Sequence, residues 1–143
     1  MQTMDSTSFT PWVEGASYHF PFSVNEKEME SFASLSGDHN PIHLDDSFAQ
    51  STGFKGRVVY GGLIVAAISR LIGREVPGRG GVWHNLSIDF KSPLYLGEMA
   101  EVVAVISYAN NDLGILRLSF EVKRGEQIIA VGKAQAGIPR KRT

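Results

Sequence analysis

From Leu63 to Ile72 the chain carries only two polar residues, Ser69 and Arg70. A helix that is apolar on nearly every side belongs inside a protein, and ten residues are too few to cross a bilayer, which takes about 20. Gly61-Gly62 makes a tight entry without side chains, and Gly73 reads as a C-terminal stop. The β-branched Ile64, Val65 and Ile68 also suit a buried strand, but length and flanking glycines favour the helix. Whatever surrounds such a helix has to be sheet.

The segments that follow supply that sheet. Leu86, Ile88 and Phe90 alternate with polar neighbours until Ser92-Pro93, and Glu101 to Tyr108 is a second strand ending in Asn110-Asn111-Asp112. Leu116, Leu118, Phe120 and Val122 alternate strictly, and Arg124-Gly125-Glu126 turns the chain into a last strand from about Ile128 to Gly137. Before the helix, Tyr18, Phe20, Phe22 and Val24 alternate too, with Pro21 placing that strand at an edge or a bend. The sum is an α+β chain: one antiparallel sheet of about five strands wrapped on a buried helix. Residues 1–14 read as a loose lead-in to a single domain, and residues 138–143 as a solvated basic tail. A sheet with exposed edges also suggests pairing with a second copy.

Between the first strand and the helix lies the densest cluster of reactive side chains. Asn25 and Glu28 suit a capping box, Met29, Phe32 and Ala33 an apolar stripe, and Gly37 a helix end. Ser36 to Asp46 then holds three Asp and two His around Pro41, which forbids a continuous helix, so the stretch reads as an ordered loop before a short helix from about Asp46 to Gln50. Asp38 and His43, on a loop stiffened by Pro41, either converge on one small molecule such as water and move its proton, or serve as a turn cap and a surface residue. His39 and His43 have the spacing of a helical metal pair, but the intervening proline removes that helix, and no metal is expected. Asp45 and Asp46 read as capping acids of the short helix. Asn40 either orients a neighbour or supports the turn. The amides of Gly61 and Gly62, at the positive end of the helix dipole, suit an oxygen that becomes negative, or the glycines only permit close packing. Ser69 either bonds back to a carbonyl one turn earlier or faces Asp38.

The formal net charge of −1 argues against nucleic acid as a partner. Residues 53–93 carry six basic residues against two acidic ones, and Lys55, Arg57, Arg70, Arg74 and Arg79 offer charge for an anionic ligand. With no cysteine, thiolate catalysis and Cys-ligated zinc are excluded. Met1 to Phe9 lacks a signal-peptide pattern, so a cytoplasmic protein away from membranes is expected.

From about Ser17 to Ala136 the chain resembles the MaoC-like, (R)-specific enoyl-CoA hydratases of the hot-dog fold. Asp38-His39-Asn40-Pro41-Ile42-His43 is similar to the family's Asp-x-Asn-Pro-(Ile/Leu)-His motif, Gly61 through Ser69 to the start of its central helix, and Asp89 through Glu98 to its Phe-x-x-Pro-Val-Tyr-x-Gly-Asp signature. The resemblance implies a homodimer adding water reversibly and syn to a trans-2-enoyl thioester of CoA or acyl carrier protein, without cofactor. It implies that Asp38 and His43 activate the water, the Gly61 amide polarises the thioester carbonyl, Ser69 sits beside Asp38, and Asn40 supports the loop. Family members commonly have His-Gly-Met where this chain has Tyr60-Gly61-Gly62, a change expected to alter the pocket wall, with Tyr60, Gly62, Lys55 and Arg57 as substrate contacts. A lone hot dog favours short or medium acyl chains. A thioesterase and a non-catalytic acyl-binding subunit are the alternatives on the same fold.

Overall fold

The alternating segments form one five-stranded antiparallel sheet in the computed structural model, which describes residues 10–139. Met1–Phe9 of the lead-in and the Arg140-Lys141-Arg142 tail lie outside the described residues. Along the chain the strands are β1 (Ser17–Phe22), β2 (Val82–Phe90), β3 (Ala100–Asn110), β4 (Ile115–Arg124) and β5 (Gln127–Gly137), ordered β1-β3-β4-β5-β2 across the sheet. Pro21 sits opposite Glu101 in the edge strand β1, where its missing N–H breaks no inner ladder. At the far edge, β2 pairs with β5 alone among the described residues.

Register puts the apolar set on one face. Val102, Ala104 and Ile106 of β3 face Val122, Phe120 and Leu118 of β4, and Leu116, Leu118 and Val122 in turn face Ala136, Ala134 and Ala130 of β5. All are buried, while Glu101, Arg117, Glu121 and Lys133 alternate with them on the outer side and stay at least partly exposed.

Among the described residues four helices join the strands: α1 (Glu26–Ser36), α2 (Pro41–Leu44), α3 (Asp46–Ser51) and α4 (Gly61–Arg74). α1 opens with the expected Asn25–Glu28 capping box and closes on Gly37, whose φ of 75° is the left-handed cap conformation that glycine adopts without strain. α4 is the buried helix, and its Ile64, Ala67, Ile68, Leu71 and Ile72 join the sheet's inner face in one core. Ile68 is 0% exposed. Its replacement by alanine is expected to remove about 2–5 kcal/mol of stability, read as a lower urea midpoint at unchanged slope; an unshifted midpoint would contradict this packing.

Three local expectations change. α4 is not covered on all sides: Gly62, Ala66, Ser69, Arg70 and Gly73 form an exposed stripe along it, because a helix against one sheet buries only one face. Gly73 does not stop the helix, which runs on to Arg74. The turn through Val76-Pro77-Gly78 ends it, with the Leu71 carbonyl accepting from Glu75 and Val76 and the Ile72 carbonyl from Gly78. Finally, the loop around Pro41 contains a helical turn, α2. Proline at the first helical position gives up an N–H that has no partner there in any case, and Asn40 caps the turn by accepting from the Ile42 amide at 3.2 Å.

Candidate active site

α2 is stitched to the segment leading into α4. The Val58 amide donates to the Ile42 carbonyl (3.0 Å), and His43 Nδ1 meets the Val58 carbonyl at 2.7 Å. A carbonyl oxygen can only accept, so Nδ1 carries the proton and Nε2, which has no partner among the described residues, is left as the basic nitrogen. The same segment is tied to the Leu94–Leu96 stretch, through Val59 N–H to the Leu94 carbonyl (2.8 Å) and a Val58–Tyr95 bridge.

Arg57 corrects an expectation. It is 9% exposed, and its guanidinium donates to the His43 carbonyl (Nε, 2.8 Å) and to Glu26 Oε2 (2.6 Å). A cation so committed is a pin between α1 and α2, and its charge is already met by Glu26. Asp46 Oδ1 accepts from the Arg57 amide, while Asp45 alone caps α3. Lys55 is exposed at the rim of a separate small depression with Tyr95 and Glu98.

Asp38 lies at the exposed start of the loop, where its Oδ1 accepts from the Asn40 amide at 3.0 Å and its other carboxylate oxygen is unpartnered among the described residues. Tyr60 joins the acid's backbone to the base. Its hydroxyl donates to the Asp38 carbonyl at 2.6 Å, and its ring stacks on the His43 imidazole with centroids 4.0 Å apart. At 1% exposure Tyr60 is interior, so it is not a substrate contact, and the altered helix entrance changes what stands behind His43 instead of the pocket wall. Burial first, and then the charge of Asp38, push its phenol above the ordinary tyrosine range, with Arg57 opposing, so the hydroxyl stays a donor at neutral pH.

The glycines of the helix entrance have separate neighbours. A Cβ on Gly62 would come within 2.3 Å of Phe32 Cζ, so Gly62 serves packing. One on Gly61 would lie 3.0 Å from Phe90 Cζ. Both amides open α4 and have no acceptor among the described residues. Gly61 and His43 line one cleft of about 400 Å³ whose other walls include Ile64, Phe90 and Leu94. Asp38 stands outside this cleft. Ser69 is not brought to Asp38: it lies on the open stripe of α4, and its hydroxyl bonds neither that carboxylate nor a carbonyl one turn back. Phe90 and Lys91, which also line the cleft, were readable as the end of an alternating strand and as part of the strand-and-turn signature, and no sequence signal aimed them at Gly61.

A curled antiparallel sheet around one helix, with an acid and an imidazole on a short loop at the helix entrance, defines a hot-dog protein of the hydratase and dehydratase class. The family model for the MaoC like domain matches residues 11–115, and the chain belongs to this family. It is 32% identical over 113 residues to the (R)-specific enoyl-CoA hydratase of Aeromonas caviae, covering 78% of this chain and 84% of the relative. A 3-hydroxybutyryl-CoA dehydratase of Methylorubrum extorquens is 29% identical over 118 residues, covering 82% and 75%. Among solved structures, the A. caviae (R)-hydratase superposes with a TM-score of 0.84 at 29% identity over 90% of this chain and 98% of that one. An R-hydratase from Pseudomonas aeruginosa gives 0.82 at 28% identity over 91% and 84%.

Proposed function

We propose that the protein is an (R)-specific enoyl-thioester hydratase, run in reverse a 3-hydroxyacyl-thioester dehydratase. The observation that carries the proposal is the cleft that His43 and Gly61 line together, with His43 Nε2 and the Gly61 amide each without a partner among the described residues. In this reading the thioester carbonyl accepts from the Gly61 N–H, and a donor so placed is worth about 2.7–4 kcal/mol as charge develops on that oxygen. His43 Nε2 and Asp38 hold the water, remove its proton as its oxygen bonds the β-carbon, and deliver a proton to the α-carbon on the same face. Water's oxygen and both hydrogens are thus accounted for, and no group leaves.

The acyl chain lies against Ile64, Phe90 and Leu94, and the substrate is a short or medium enoyl chain carried by CoA or acyl carrier protein. A second copy of the chain covers the open stripe of α4 and the unpaired edge of β2, making a homodimer, with Asp38 facing the covered space. No helix among the described residues is long and apolar enough to cross a membrane; a cytoplasmic location is part of this proposal.

The test uses crotonyl-CoA. Loss of enoyl absorbance without release of free thiol is the expected result, whereas free thiol would replace hydration by thioester hydrolysis, and neither change would reject the substrate class. Sedimentation at the mass of one chain would reject the dimer.

A further inference from the structure

Asp38 and His43 are five positions apart, and the His43 end is tied to residues 57–58, which leaves the question of what ties down the Asp38 end. Residues 37–41 bond almost entirely among near neighbours. Ser36 Oγ accepts from the Asp38 amide, Asp38 Oδ1 from the Asn40 amide, His39 Nδ1 meets the Gly37 carbonyl, and the His43 amide reaches the Asn40 carbonyl. Among the described residues, one hydrogen bond reaches this segment from elsewhere in the chain: Tyr60 O–H to the Asp38 carbonyl at 2.6 Å.

The same tyrosine reaches the other end of the pair. Its ring lies on the His43 imidazole at 4.0 Å with the planes 30° apart, and Phe32 packs on it at 4.6 Å. Phe32 in turn fills the space that the absent side chain of Gly62 leaves open. Gly62, Phe32, Tyr60 and His43 therefore form a continuous packed series from the start of α4 to the base. Tyr60 does not line the cleft, and it reaches the pair from behind, through the His43 ring and the Asp38 backbone.

We propose that Tyr60 is a positioning residue: its hydroxyl fixes the backbone of the acid and its ring fixes the plane of the base, so that both keep one separation during turnover. This rests on the hydratase reading for its catalytic meaning, but the loop contact is measurable without it. A misplacement of about 1 Å at such a pair is enough to lower turnover steeply, while ground-state binding by the cleft walls is untouched.

The experiment compares wild type, Tyr60→Phe and Tyr60→Leu by crotonyl-CoA kinetics, by amide hydrogen exchange at Asn40, and by the ring ¹⁵N signals of His43, assigned by their loss in His43→Ala. Tyr60→Phe keeps the ring and removes one O–H bond. The expected result is kcat lowered about tenfold with KM within about twofold, faster exchange at Asn40, and an unchanged Nδ1–H tautomer. Tyr60→Leu removes the stacking as well, so a mixed His43 tautomer and a further fall in kcat are expected. Unchanged exchange at Asn40 in Tyr60→Phe overturns the proposal by itself, and so does an unchanged kcat in an active enzyme. Should Tyr60→Leu fail to fold, the Tyr60→Phe results decide alone. Faster exchange at Asn40 in Tyr60→Phe, in a protein whose wild type never hydrates crotonyl-CoA, sinks the hydratase reading and leaves the loop-positioning role of Tyr60 supported.

Discussion

Asp38→Asn is expected to lower kcat for hydration of crotonyl-CoA by about 10²–10⁴-fold, the usual contribution of one proton-transferring group. The substitution is nearly isosteric. Asparagine keeps an Oδ1 that accepts from the Asn40 amide, a bond of 3.0 Å in the present structure, and Tyr60 holds the backbone carbonyl of residue 38, not its side chain. Loop geometry is therefore retained, and what is lost is the negative charge and its capacity to take a proton. Removing that charge also withdraws one of the two causes that raise the Tyr60 phenol, leaving burial. The check is a kcat and KM determination alongside a thermal unfolding curve. Turnover near that of wild type in a folded Asp38→Asn protein would end the assignment of Asp38 as a proton carrier.

His43→Ala is expected to have a kinetic effect of the same order, about 10²–10⁴-fold in kcat, with a second signature that Asp38→Asn lacks. The imidazole is bonded through Nδ1 to the Val58 carbonyl and stacked on Tyr60. Its removal leaves that carbonyl without one donor and uncovers the tyrosine ring, so a loss of about 1–3 kcal/mol in stability accompanies the loss of activity. Urea unfolding measures the first and the crotonyl-CoA assay the second. A variant that unfolds early but turns over normally would make His43 a purely structural residue. In the proposed hydration the two groups act on one water, so the double variant is expected to cost little more than either single one.

The elements were legible in the sequence to the extent that a local period specifies them. Strict alternation over Leu116 to Val122 had one reading, and β4 follows it, with Leu116, Leu118, Phe120 and Val122 buried. The Asn25–Glu28 capping box and the Gly37 stop were equally local and are both present. The site was legible as a list: the Asn-Pro loop, the glycine entrance and the family motif name Asp38, His43 and Gly61. Its wiring was not. Arg57 looks in sequence like any surface cation, and only the packing of α1 against α2 gives it Glu26 and the His43 carbonyl as partners. Tyr60 read as a changed pocket wall, and it is instead the interior support of the loop.

What the sequence alone determined about this protein is the sheet, its buried helix, and the residue types at the mouth of that helix, because periodicity, caps and turn chemistry act over a few residues. The tertiary structure decided which of those residues meet. It separated Ser69 from Asp38, drew Arg57 inward, and set Tyr60 behind His43. The physical reason is that a side chain's partner depends on packing between elements distant along the chain, and on which face of α4 the single sheet leaves open.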